Sequence, residues 1–218
     1  MKALFAYNKN ELERMVFLSR KKYMNMKNAI IVIRHGDDLS TPPAWPAYVV
    51  SYTLPNGKNV NVPHHGLKQD GIDRANLLST IIPKWLSDNG YSPIARVITK
   101  DPTSLDYTPN PFETIYPTIK QSSINDVVLL QSLSDIQKSI SNNQISSSEG
   151  STIICWDVEG MWSPKDSSGN HTENPLPNSI LGMLSSSQIS TYPVKAGTLY
   201  TFVDTSLKIF NVINNQIV

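Results

Sequence analysis

The sequence predicts an α/β domain of three layers, with a mainly parallel central sheet flanked by helices. Three observations carry this expectation. Ala29-Ile30-Ile31-Val32-Ile33 and Thr152-Ile153-Ile154-Cys155-Trp156 are continuous apolar runs, the mark of strands covered on both faces. Between them, strand-like runs alternate with helix-like spacing. The 218 residues, 39% hydrophobic and 17% charged, are enough to bury a sizeable core and have the composition of a folded chain.

No Gly/Ser tract divides the chain, so residues 28–218 read as one domain behind a basic extension, residues 1–27. The extension sets Lys2, Lys9, Arg14, Arg20, Lys21, Lys22 and Lys27 against Glu11 and Glu13. It lacks the unbroken apolar stretch and cleavage site of a signal peptide. Leu4, Phe5, Leu12, Met15 and Val16 give it one amphipathic face, suited to packing or to a membrane surface.

The first strand, Ala29 to Ile33, stops at Arg34-His35-Gly36-Asp37-Asp38. Val49 to Tyr52 and Asn59 to Val62 flank Pro55-Asn56-Gly57, a hairpin inserted on the first loop and reaching Pro63-His64-His65. From Lys68 the period is helical through Ile72, Ala75, Leu78, Ile82 and Trp85, with Asp88-Asn89-Gly90 as the stop. Val97 to Thr99 reads as a short strand, and a Pro-rich loop leads through Pro109 to a helix within Phe112 to Lys120. A strand at Val127 to Leu130, a helix at Leu133 to Ile140 and a Ser/Asn-rich loop at Ser141 to Gly150 follow. After the second buried strand come a long loop, Trp162 to Pro177, and a helix at Ile180 to Leu184. Leu199 to Val203 and Leu207 to Val212 close the chain as a β pair.

A net charge of +1 argues against a nucleic-acid binder with a broadly basic surface, so anion recognition must be local. No stretch reaches the ~20 apolar residues of a membrane span. Cys155 is the single cysteine and reads as core; with no disulfide to maintain, the expectation is a cytoplasmic protein. Asn170-His171-Thr172 matches a glycosylation acceptor, which means little without a secretory signal.

Ligands of such sheets bind at the carboxyl ends of strands. Arg34-His35-Gly36 stands there. A neutral imidazole is nucleophilic near neutral pH, and a guanidinium can fork two N–H donors onto phosphate oxygens. Gly36 leaves room for a ligand against the backbone. Asp157 ends the second buried strand at the same edge, and Lys100 follows the short strand as a further positive charge. His64 and His65 could reach the rim, while Asp37, Asp38, Asp101 and Glu113 are alternative carboxyl groups.

The run Ile30-Ile31-Val32-Ile33-Arg34-His35-Gly36 and the later Leu67-Lys68-Gln69-Asp70-Gly71-Ile72-Asp73-Arg74-Ala75 resemble the histidine phosphatase superfamily, also called phosphoglycerate mutase-like. The second run looks like that family's Leu-Thr-x-x-Gly-x-x-Arg/Gln-Ala helix start, with Lys68 in the usual Thr place. Pro111, Phe112 and Thr114 and the strand ending in Trp156 follow in the family's order. The resemblance implies a phosphoglycerate mutase-like fold and a metal-free reaction without a cofactor, on a phosphorylated small molecule or another anion. His35 would attack phosphorus, Arg34 would hold the phosphate, and a carboxylic acid, with Asp157 the foremost candidate, would protonate the leaving oxygen.

Two positions depart from the family's pattern. Asn110 stands where the second phosphate-binding Arg is expected, and Val158, within Trp156-Asp157-Val158-Glu159, where the second His is expected. Loss of one preorganised donor costs roughly 3–4 kcal/mol of transition-state stabilisation, about 10²–10³ in rate. Two readings therefore stand side by side: a phosphomonoester hydrolase of reduced or altered activity, and an inactive member of the fold that binds an anion or a partner. The substrate-binding set would be Arg34, Gly36, Asn110, Lys100 and His65.

Overall fold

The two apolar runs lie side by side, as strands that must be covered on both faces do. In the computed structural model Ile31 is level with Ile153 and Arg34 with Trp156, and the two strands run parallel. The structure describes residues 26, 28–35, 49–62, 66–103, 109–142, 144–157, 160, 167 and 178–184, and the backbone of 200–204, 209–213 and 216–217. The basic extension expected at residues 1–27 lies outside them apart from Met26.

In chain order the elements are β1 (Ala29–Arg34), β2 (Val50–Thr53), β3 (Asn59–Val62), α1 (Gln69–Asp88), β4 (Ile94–Lys100), α2 (Asn110–Gln121), β5 (Asp126–Leu130) and α3 (Leu133–Ser141). Then follow β6 (Ser151–Trp156), α4 (Ile180–Leu184), β7 (Tyr200–Asp204), β8 (Ile209–Ile213) and β9 (Gln216–Ile217). The main sheet has seven strands in the order β5-β4-β6-β1-β7-β8-β9. The first four in that order are parallel to one another, and β7, β8 and β9 add an antiparallel extension beside β1. The expected closing pair is β7 and β8; the two-residue β9 carries no sequence signal. β4 is longer at both ends than the expected Val97 to Thr99.

Alternation along the central strands divides the core in two. Ile31, Ile33, Val97, Ile153 and Cys155 face α1 (Leu78, Ile82, Trp85, Leu86) and α2 (Phe112, Ile115, Ile119). Val32, Ile98, Ile154 and Trp156 face α3 (Ile136) and α4 (Ile180, Leu181). Helices thus flank the sheet on both sides, and each large side chain fully withdrawn from water contributes about 1.5–3 kcal/mol.

The helix ends follow local chemistry. At the end of α1, Gly90 takes φ +74°, the Tyr91 N–H reaches the Leu86 carbonyl at 2.8 Å, and Tyr91 stacks on Trp85. α2 closes in the same way through the Ile124 N–H and the Ile119 carbonyl, but with Ser123 in the left-handed position at φ 51°. α3 starts on a capping box between Ser132 and Asp135.

The inserted hairpin is β2 and β3, turning at Pro55-Asn56-Gly57 with Gly57 at φ +84°. It leans on α2: Tyr52 meets Phe112 and Tyr116 edge-on, and the Tyr116 hydroxyl donates to the Thr53 carbonyl at 3.0 Å. Among the described residues, no helix is long and apolar enough to cross a membrane.

Candidate functional site

Where neighbouring parallel strands send their chains to opposite faces, a crevice opens at their carboxyl ends. β1 and β4 lead to α1 and α2 on one face, while β6, lying between them, leads to α4 on the other. By this rule the expected crevices lie on either side of β6. At this edge β1 ends in Arg34, followed by His35, β4 ends in Lys100, followed by Asp101, and β6 ends in Trp156, followed by Asp157.

His35 extends the β1 ladder, its backbone N–H donating to the Trp156 carbonyl at 3.2 Å, and it is only 9% exposed. Arg34, half-buried, is the last residue of β1 and falls on the Val32 side by alternation. Among the described residues, Asp157 makes two polar contacts. Its Oδ2 lies 2.9 Å from the Lys100 ammonium, and its Oδ1 accepts from the Gly160 N–H at 2.8 Å. Gly160 packs on the Trp156 indole, where a Cβ would overlap the ring. Burial pushes the Cys155 thiol up well beyond its ordinary range, and the neighbouring Asp157 charge adds to this.

Two further candidate carboxyl groups, on Asp101 and Glu113, are engaged elsewhere. Asp101 Oδ1 accepts from the Thr103 N–H and hydroxyl at 2.9 and 2.7 Å, closing its own turn. Glu113, 6% exposed, takes the Tyr52 hydroxyl on Oε1 at 2.8 Å and the Gly66 and Leu67 N–H groups on Oε2 at 2.8 and 3.2 Å. One carboxylate thereby joins the hairpin, the approach to α1 and the first turn of α2. Its sequence neighbours carry no signal for this, because the partners come from 46 to 61 residues away.

Asn110 opens α2 and is 1% exposed. Its amide oxygen lies where a side chain on Gly66 would have to start, and among the described residues it has no hydrogen-bond partner. The Thr99 hydroxyl, one residue before Lys100, is likewise buried without a partner among the described residues. The structure thus brings Arg34 and His35, Lys100 and Asp157 to three adjacent strand ends and packs Asn110 against Gly66. Gly36, Asp37, Asp38, His64, His65, Val158 and Glu159 lie outside the described residues. Among the described residues, no three His, Cys, Asp or Glu side chains gather as a metal-holding set.

Chemically, this edge offers an imidazole, a guanidinium and an ammonium with one interposed carboxylate, groups that bind oxyanions and move protons. Comparison with protein-family models and with curated proteins gives no match.

Proposed function

We propose that the chain is a histidine phosphatase-like phosphomonoester hydrolase that works through a phosphohistidine at His35. One observation carries the reading: Arg34 and His35 end a buried parallel strand beside β6, where the chain departs to opposite faces and a crevice is expected. The His35 imidazole attacks phosphorus, the ester P–O bond breaks, and Asp157 protonates the departing oxygen. Water then hydrolyses the phosphohistidine to free imidazole and phosphate. Arg34 binds the phosphoryl oxygens throughout. The reaction uses neither metal nor cofactor, and the fold assigned with it is phosphoglycerate mutase-like.

A second reading, an anion-binding member of the fold without catalysis, is favoured by Asn110. Its amide oxygen is pressed against Gly66, and it supplies no positive charge at the place where the resemblance calls for an Arg.

One experiment separates them. Purified protein is assayed on an aryl phosphate and a panel of phosphosugars beside His35→Ala. Hydrolysis lost in the variant, with acid-labile phosphoprotein trapped in the wild type, supports the hydrolase. Equal traces in both preparations and no phosphoprotein would reject it and leave the binding reading.

A further inference from the structure

The ion pair at the carboxyl edge has an unusual setting. Lys100 and Asp157 meet across the ends of the adjacent parallel strands β4 and β6, with side chains only 14% and 24% exposed. The Asp157 carboxylate is also held from its own chain by the Gly160 N–H, and Gly160 is fixed against the Trp156 ring. On the other side of β6, Arg34 is level with Trp156. Arg34 and Lys100 thus end the two strands that flank β6, about 10 Å apart at the backbone from two strand spacings, and Asp157 follows the end of the strand between them.

We infer that Asp157 is a resident occupant of the anion site, and that a phosphate monoester binds by displacing this carboxylate from Lys100. The inference rests on the functional reading above and adds to it the identity of the second cation. Lys100 supplies the charge that Asn110 does not. Each phosphoryl dianion thus exchanges places with an internal anion; the carboxylate, released from Lys100 and now beside that dianion, takes up a proton from solvent and passes it to the leaving oxygen. The exchange also sets the substrate class. A monoester dianion has the charge to compete with a carboxylate for Lys100; a diester monoanion has half of it and competes poorly.

The test is inorganic phosphate titrated into the full chain by calorimetry, for the wild type, Asp157→Asn, Lys100→Met and Arg34→Ala, with thermal melts as a check on folding. Asp157→Asn keeps an acceptor for the Gly160 N–H and removes the competing charge. It should bind phosphate about tenfold tighter, while its turnover of an aryl phosphate falls. Lys100→Met should bind about tenfold or more weakly. A merely structural role for the pair would weaken binding in both variants, so opposite signs are the signature. Unchanged or weaker binding by folded Asp157→Asn overturns the exchange. Should Asp157→Asn not fold, unchanged binding by Lys100→Met overturns it equally. Wild-type binding that needs Arg34 but ignores both Lys100 and Asp157 removes this inference alone. No phosphate binding by either the wild type or Asp157→Asn removes the underlying reading with it.

Discussion

The two ends of the same strands are built from different chemistry. At the amino end of β1 and β6, contacts are neutral and paired, and near the amino end of β4 the Arg96 charge is paired with Asp126. Ser151 Oγ accepts from the Ala29 N–H at 3.0 Å and donates to the Ser92 carbonyl at 2.7 Å. The Asn28 amide donates to the Ser147 carbonyl, and the Thr152 hydroxyl to that of Ile145. At the carboxyl end of these six-residue strands and of β4 stand a guanidinium, an imidazole, an ammonium and a carboxylate, and two buried side-chain oxygens, on Thr99 and Asn110, have no hydrogen-bond partner among the described residues. Buried polar groups in folded proteins are nearly always paired, because each unpaired one costs about 1–3 kcal/mol. The described polar groups of the amino end are paired, whereas the proposed site lies at the end that keeps buried polar atoms with no partner among the described residues.

This contrast can be broken or sharpened in order of expected effect. Cys155 lies two residues before Asp157 yet belongs wholly to the core, so its raised thiol should resist iodoacetamide in the native protein at neutral pH. Mass spectrometry should find stoichiometric alkylation only after urea unfolding, and rapid native labelling would place the charged edge deeper than described. Glu113→Ala strands three buried or half-buried donors and should cost about 3 kcal/mol or more, a fall in melting temperature of about 6–12 °C. A fall below about 2 °C would show that the hairpin and α2 do not depend on that carboxylate.

Ser151→Ala should cost about 1–3 kcal/mol in urea unfolding and leave phosphate affinity unchanged. Altered affinity would mean that the two ends are coupled. The smallest effect is a gain. Ser123→Gly relieves a left-handed residue at the end of α2 and should stabilise by up to about 1 kcal/mol, with no change at either end of the sheet.

The fold was legible to the extent that its elements advertise themselves locally. β1 and β6 are unbroken apolar runs, α1 shows its period and its Asn89-Gly90 stop, and the hairpin shows Pro55-Asn56-Gly57. β9 is two residues long, too short for any period to register. Of the candidate site, Arg34, His35 and Asp157 were readable as residues following strands, because the carboxyl edge of a parallel sheet is a general binding place. The pairing of Lys100 with Asp157 was not, since it depends on β6 inserting between β4 and β1, a matter of sheet order. The clamp on Glu113 was invisible for the same reason. Gly66 looks like an ordinary turn glycine until Asn110 is seen to fill the place of its missing Cβ.

The inserted hairpin is secured sideways, by Tyr52 and Tyr116 to α2 and by Asn56 to the Asn125 carbonyl. Tyr52, Phe112, Glu113 and Tyr116 must be inherited together, so a lineage that discards the hairpin should discard that quartet in the same step.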